Sequence, residues 1–318
     1  MLYTDSVTES ADDHHFLLAG QEYTFGRKDC DILVKDDMSI SRKHAVFTVQ
    51  HPEANLCHPD RIPRLVMKDV SRFGSKIGSD LIKNGQERSL THGDVFISGS
   101  ALVSKFRVEY EPLLVTTSCL APDGKTALKS ELRTLGGHLV PEWKDACHCV
   151  VMSSLSVTMK VICALICQKP VVLPAYFEAW LSAVKAGSSP PSPSSFLPPL
   201  AESQISSDEN LFNPQPLRRN IFNGKIFVFL TAKQFKRLSP VVEQGGGTPM
   251  LMESSGVGDL ELMTSGSACV LHVDVRDATL KLTPEGVKWV KSVELHLQRC
   301  IEQSNIVKNP DITIMSQK

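Results

Sequence analysis

Lys105-Phe106-Arg107-Val108-Glu109-Tyr110-Glu111 alternates polar and apolar residues along its whole length. Strand side chains point to opposite faces in turn, so this period of two places Phe106, Val108 and Tyr110 on a buried face. The same character recurs upstream in short runs. Glu22-Tyr23-Thr24-Phe25, His44 to Gln50 and Arg64 to Lys68 are rich in β-branched or apolar residues. Asn84-Gly85, His92-Gly93-Asp94 and Gly99-Ser100 punctuate the region as turns. Many short strands with frequent turns, from about residue 16 to 110, predict an all-β sandwich.

The pattern changes after Pro112. Leu113 to Thr117 reads as a strand, and Ala127, Leu128, Leu132 and Leu135 follow at helical spacing, stopped by Gly136-Gly137. Strands at His138 to Val140, Cys149 to Met152 and Val171 to Leu173 enclose a helix from about Val157 to Cys167. A last helix carries Phe177, Trp180 and Leu181. This β-α-β-β-α-β-α order predicts buried parallel strands covered by helices. From Gly187 to Pro216, seven of thirty residues are Pro and eight are Ser. Such a stretch has too little apolar surface to order itself and reads as a linker. Beyond it the order returns more loosely: a strand at Lys225 to Leu230, a helix at Lys233 to Glu243, Gly245-Gly246-Gly247, strands at Met250 to Met252 and Ala268 to Val273, and a helix from Pro284 to Cys300. A divergent internal repeat is expected, with a last strand and helix hard to place after Cys300.

The whole 318-residue chain is 42% apolar and 22% charged, with a formal net charge of -1. That is globular composition without the basic excess of a dedicated duplex-DNA binder, so any contact with a polyanion must be local. The longest apolar run, Val161 to Cys167, is far short of the ~20 residues of a membrane span. Asp5, Glu9, Asp12 and Asp13 give the wrong charge order for a secretory signal. Nine scattered cysteines, an odd number, read as reduced thiols of a cytosolic or nuclear protein. Cys147-His148-Cys149 with Cys163 and Cys167 invites a zinc site. However, Cys163 and Cys167 sit i,i+4 inside an apolar segment, where Cys acts as a small buried hydrophobe, and Cys147 and Cys149 alternate along a strand, so a structural role is read for them and no metal is expected.

An enzyme finds little support. Gly124-Lys125-Thr126 follows a strand and opens a helix as the end of a phosphate-binding loop would, but Cys119 stands where that motif needs its first glycine. There is no G-x-S-x-G, no H-E-x-x-H and no Ser/His/Asp set. No catalytic residue and no cofactor are predicted.

A sharper pattern lies in the first domain. Gly26-Arg27 ends an early strand, Ser41-Arg42-Lys43-His44 follows fourteen residues later, and then come Asp69-Val70-Ser71-Arg72-Phe73-Gly74-Ser75 and Asn84-Gly85. These are inter-strand loops, which can converge at one end of a sandwich. An arginine fork, a serine hydroxyl and further cations meeting there would hold a phosphate dianion.

This arrangement resembles a forkhead-associated (FHA) domain, a phosphothreonine-peptide reader. The resemblance implies that Arg27 and Ser41 grip the phosphate with Arg42 beside them and that Arg72 lies near the phosphate or the peptide backbone. It also implies that His44, Gly26 and Gly74 brace the loops. Phe73 stands where the family usually has Asn. Thr117-Ser118-Cys119-Leu120, Gly136-Gly137, His148 to Met152, Lys160 and the Tyr176-Phe177 to Trp180 helix resemble a BRCT domain, and the last segment resembles a second BRCT repeat. In tandem repeats of this family the first holds a phosphoserine. Carried over by position, the Ser118 hydroxyl, the Cys119 N–H at the start of a helix and Lys160 would form that pocket.

The expected fold class is thus multidomain: an all-β FHA sandwich (1–110), then two α/β BRCT domains with parallel sheets (111–186 and 217–318) separated by the Pro/Ser-rich linker (187–216). The order FHA, BRCT, BRCT resembles the regulatory subunits of nuclease–ATPase complexes that sense DNA double-strand breaks. This implies a non-enzymatic, nuclear phosphopeptide-binding adaptor at break foci and telomeres. Its expected partners are phosphorylated scaffolds of the mediator-of-DNA-damage-checkpoint and CtIP types, with the nuclease, its ATPase partner and the ATM kinase engaged through a C-terminal tail not seen in this sequence. The alternative is a DNA-binding or end-processing protein whose BRCT domains touch DNA.

Overall fold

The computed structural model describes residues 2–6, 14–35, 37–99, 104–201, 212–251, 267–271 and 282–303. Two compact units are present, one of residues 1–156 with 170–208 and one of 157–169 with 209–318.

The first unit opens with the expected sandwich. Its strands are β1 (Leu2–Ser6), β2 (His14–Leu17), β3 (Glu22–Gly26), β4 (Ile32–Leu33), β5 (Ala45–Gln50), β6 (Arg64–Asp69), β7 (Ser75–Ile77), β8 (Asp80–Ile82), β9 (Glu87–Leu90), β10 (Val95–Ser98) and β11 (Ser104–Tyr110). One sheet runs β4-β3-β5-β6-β9 and the other β2-β1-β11-β10-β7-β8. β11 contains the alternating stretch, and β1 pairs along it from Leu2 opposite Tyr110 to Ser6 opposite Phe106. The sequence gives no sign of that added strand. In β5, Ala45, Phe47 and Val49 are buried while the residues between them are not. Phe25, Phe47, Phe96 and Phe106 fill the space between the sheets edge to face, with centroids 5.1 to 6.3 Å apart. Aromatic rings prefer this arrangement because a positive edge meets a negative face.

The chain then forms β12 (Leu114–Thr117), α1 (Pro122–Leu135), β13 (His138–Val140), β14 (Cys149–Val151), α2 (Met159–Ile166), β15 (Val171–Val172) and α3 (Ala175–Lys185). The strands make a parallel sheet in the order β13-β12-β14-β15. Leu128, Leu132 and Leu135 of α1 are fully buried. Gly136 closes that helix in the left-handed region at φ 72°, the backbone shape glycine adopts without a Cβ penalty.

This domain is fused to the sandwich. Leu18 and Leu56 of the sandwich lie within its hydrophobic core. Backbone bonds run from Ala19 N–H to the Thr134 carbonyl (2.7 Å) and from Leu139 N–H to the Leu56 carbonyl (2.9 Å). At the same seam the buried His51 ring donates to the Gly137 carbonyl (2.9 Å), and His138 donates to the Arg61 carbonyl (3.2 Å).

The Pro/Ser-rich segment is not a free linker throughout. A 3-10 turn at Pro193–Phe196 presents Phe196 to Tyr176, with centroids 5.5 Å apart. Leu173 donates to the Phe196 carbonyl, Leu155 to the Pro199 carbonyl and Ala201 to the Leu155 carbonyl. One aromatic ring and three backbone bonds therefore tie residues 192–201 down as a strap, an outcome that composition does not foresee. Residues 202–211 of the expected linker lie outside the described residues.

In the second unit, β16 (Ile226–Phe229), α4 (Ala232–Gln244), β17 (Thr248–Leu251), β18 (Ala268–Val270) and α5 (Pro284–Gln303) form a parallel sheet ordered β17-β16-β18 with helices. The first three strands of the earlier repeat have the same order, as an internal repeat requires. Val228, Phe229 and Val290 are fully buried. Helix α2, expected with the first repeat, belongs to this unit and packs on α4. The Cys167 thiol donates to Gln244 (3.3 Å) and the Cys167 carbonyl accepts from Arg219 (3.4 Å). The parts of the expected strands at residue 252 and residues 272–273 lie outside the described residues. Among the described residues, no helix is long and apolar enough to cross a membrane and no His/Cys/Asp/Glu group could hold a metal.

Candidate functional site

Three loops of the sandwich meet at Ser41. Its carbonyl accepts from the Arg27 N–H (3.1 Å), its N–H donates to Nδ1 of His44 (3.1 Å) and its hydroxyl oxygen accepts from the Arg72 N–H (3.2 Å). The loop after β3, the loop before β5 and the loop after β6 are thus locked together through one residue. A second backbone bond, Lys28 N–H to the Arg42 carbonyl (3.1 Å), doubles the first link. The Ser41 O–H remains as a donor.

His44, Gly26 and Gly74 lie at close contacts of these loops. His44 is 1% exposed; its N–H donates to the Phe25 carbonyl and its carbonyl accepts from Val70. Accepting from Ser41 fixes His44 as a neutral ring. Burial also lowers its pKa, against the opposing pull of Asp69 and the Gly74 backbone. Gly26 passes so close to the Arg42 carbonyl that a Cβ would overlap it. Gly74 has φ +88°, and a Cβ there would lie 2.7 Å from the Ile82 carbonyl oxygen. Both positions therefore demand glycine.

Sequence reasoning quoted Asp69, Ser71 and Ser75 without giving them a role. All three are buried. The Asp69 carboxylate accepts from the Ser71 N–H and hydroxyl (2.9 Å each) and from the Ser75 hydroxyl, while Ser71 Oγ accepts from the Gly74 N–H (2.8 Å). The Asp69 carbonyl takes the Gly85 N–H (2.8 Å), which ties in the Asn84-Gly85 turn. The D-x-S-x-x-G-S spacing was the available signal, since it closes a turn upon its own acid.

Arg27 directs Nε to the Ile40 carbonyl (3.2 Å) and Nη1 to the Met38 sulfur (3.3 Å). Arg42 and Arg72 are exposed. Among the described residues, none of the three is paired with a carboxylate. Guanidinium groups and a hydroxyl donor can together neutralise a dianion, and the planar forks suit its oxygens.

The second expected pocket differs from its prediction. Ser118 is 9% exposed and donates its backbone N–H to the Val151 carbonyl. Cys119 is exposed with φ +49° and lies before the N-cap Ala121, so its N–H is not a helix-start donor. Helix α1 begins at Pro122, which has no N–H at that position. Ser118 and Cys119 belong to the first compact unit. Lys160, half-buried in the first turn of α2, belongs to the second.

The FHA family pattern matches residues 23–99, and that of the second BRCT domain on the Nijmegen syndrome breakage protein matches residues 216–309. Nibrin of Rattus norvegicus is 42% identical over 283 residues, which are 89% of this chain and 38% of that protein. Nibrin of Gallus gallus is 40% identical over 298 residues, 94% of this chain and 39% of that protein. The chain therefore spans about two-fifths of the length of these curated relatives. In fold it is similar to the structure of the S. pombe Nbs1–Ctp1 complex, with a TM-score of 0.62 at 19% identity, covering 95% of this chain and 97% of that one.

Proposed function

The chain belongs to the nibrin family, and from that premise we propose that it is a non-enzymatic phosphopeptide-binding adaptor of the nuclear response to DNA double-strand breaks. The sandwich binds phosphothreonine through Arg27, Ser41, Arg42 and Arg72. The first BRCT repeat binds phosphoserine through the Ser118 hydroxyl. A phosphorylated partner of the Ctp1 type supplies one such peptide, by analogy with the fission-yeast complex. A phosphorylated chromatin scaffold supplies another. Docking on them brings the repair nuclease, its ATPase partner and the ATM kinase to the break.

The observation that carries this reading is the Ser41 junction, where three loops meet beside arginines that no carboxylate pairs among the described residues. Charge-assisted hydrogen bonds contribute roughly 1.5–3 kcal/mol each. Two or three of them, less the cost of association, leave a micromolar interaction of about -8 kcal/mol. The bare threonine hydroxyl loses most of that, so kinase activity becomes a docking signal.

Fluorescence anisotropy of the full chain with a labelled peptide containing Asp-pThr-Asp tests the first site. Arg27→Ala is expected to weaken binding at least tenfold, and unchanged affinity would overturn the assignment. For the second site, Ser118→Ala is expected to weaken a phosphoserine peptide, and retained affinity would remove that half of the proposal.

A further inference from the structure

Phe73 is 69% exposed, yet its position is fixed. The backbone before it is held by Ser71, buried against Asp69, and the backbone after it by Gly74, whose left-handed geometry admits no other residue. Phe73 therefore displays a large apolar ring in water from a rigid turn. The guanidinium carbon of Arg72 sits 5.2 Å above the centre of that ring. An arginine at this distance is attracted by the negative face of the ring. The Arg72 main chain is meanwhile bonded to the Ser41 hydroxyl. Both ends of Arg72 are thus restrained, the backbone by Ser41 and the head group by Phe73, and no carboxylate competes for it among the described residues.

We infer that Phe73 is a positioning residue: its ring pre-orients the guanidinium of Arg72, whose main chain is bonded to Ser41, so that the phosphate meets a cation already held in place. The inference rests on the phosphothreonine assignment of this pocket. Its physical basis is entropic, since a free arginine side chain loses rotamer freedom when it binds, and a stacked one has less to lose. Phe73 acts through Arg72 and does not need to touch the peptide.

A double-mutant cycle on the full chain tests it, read by anisotropy with the Asp-pThr-Asp peptide and its unphosphorylated control. Phe73→Leu is expected to weaken phosphopeptide binding about two- to fivefold, the range of an exposed cation–π contact. Phe73→Tyr, which keeps the ring, is expected to bind as the parent does. In an Arg72→Ala background, Phe73→Leu is expected to have no further effect. An equal loss in both backgrounds would overturn the inference, because Phe73 would then act on the peptide directly. No loss with Phe73→Leu would also overturn it. The phosphothreonine assignment is read separately, from the difference between the two peptides and its sensitivity to Arg27→Ala. If that difference is absent, the assignment and this inference fall together. If it is present but the cycle shows no coupling, only the role of Phe73 is lost.

Discussion

Gly26 and Gly74 are the points at which the pocket admits no side chain. Gly26→Ala pushes a methyl into the Arg42 carbonyl, and Gly74→Ala combines a clash at Ile82 with a disfavoured φ. Each is expected to cost about 1–3 kcal/mol of unfolding free energy in urea titration. Asp69→Ala strands buried hydroxyls of Ser71 and Ser75. It is expected to cost about 3 kcal/mol or more and to slacken the third loop, weakening phosphopeptide binding although Asp69 bears no charge suited to phosphate. Cys119 presents the reverse case. A non-glycine residue at φ +49° carries strain, so Cys119→Gly is expected to stabilise by about 0.5–1 kcal/mol in the same titration. At this scale the sequence pointed to the loops that meet at Ser41, because Gly26-Arg27 and Ser41 to His44 have fixed spacing. It could not give the sign of φ at Cys119 or the start of α1 at Pro122, since both depend on how the loop after β12 packs.

Among elements, strand and helix periodicity was readable wherever one face is buried. Phe106 and Val108 of β11, and Leu128, Leu132 and Leu135 of α1, lie inward as their spacing requires. Two elements escaped. β1 is a short strand containing Asp5, and its pairing with β11 is a long-range event that local pattern does not carry. The strap was hidden by its Pro and Ser content, because its attachment depends on the ring of Phe196 against Tyr176 and on backbone bonds that composition does not carry. Phe196→Ala is expected to release residues 192–201, seen as new protease cleavage in that segment while the far-ultraviolet circular dichroism of the chain stays unchanged. Resistance equal to the parent's would mean that the backbone bonds alone hold the strap.

Over the molecule as a whole, the sandwich is joined to the first parallel sheet through Leu18 and Leu56, which lie in the core of the latter. Calorimetry is expected to show them unfolding in a single transition, and Leu56→Ala, in that core, to lower it by about 2–5 kcal/mol. The seam also sets a pH dependence. Burial holds the His51 and His138 rings below the ordinary histidine range, whereas unfolded histidine titrates near 6.5. The unfolded chain therefore binds more protons, and stability is expected to fall as pH drops below about 6.5. Glu131 acts the other way: burial, with Glu178 nearby, pushes it up to about 7. Its contribution is greatest at low pH and is lost as pH rises toward 7. Glu131→Gln should leave the histidine loss on acidification more visible in thermal melts.

The most direct test of the central claim, that three separate loops build one phosphate cradle at Ser41, is amide chemical-shift mapping of the full chain with a phosphothreonine peptide. The account predicts that the signals of Arg27, Ser41, Arg42 and Arg72 move together with one dissociation constant, and that the unphosphorylated peptide moves none of them. Phosphate-dependent shifts confined to other parts of the chain would contradict it.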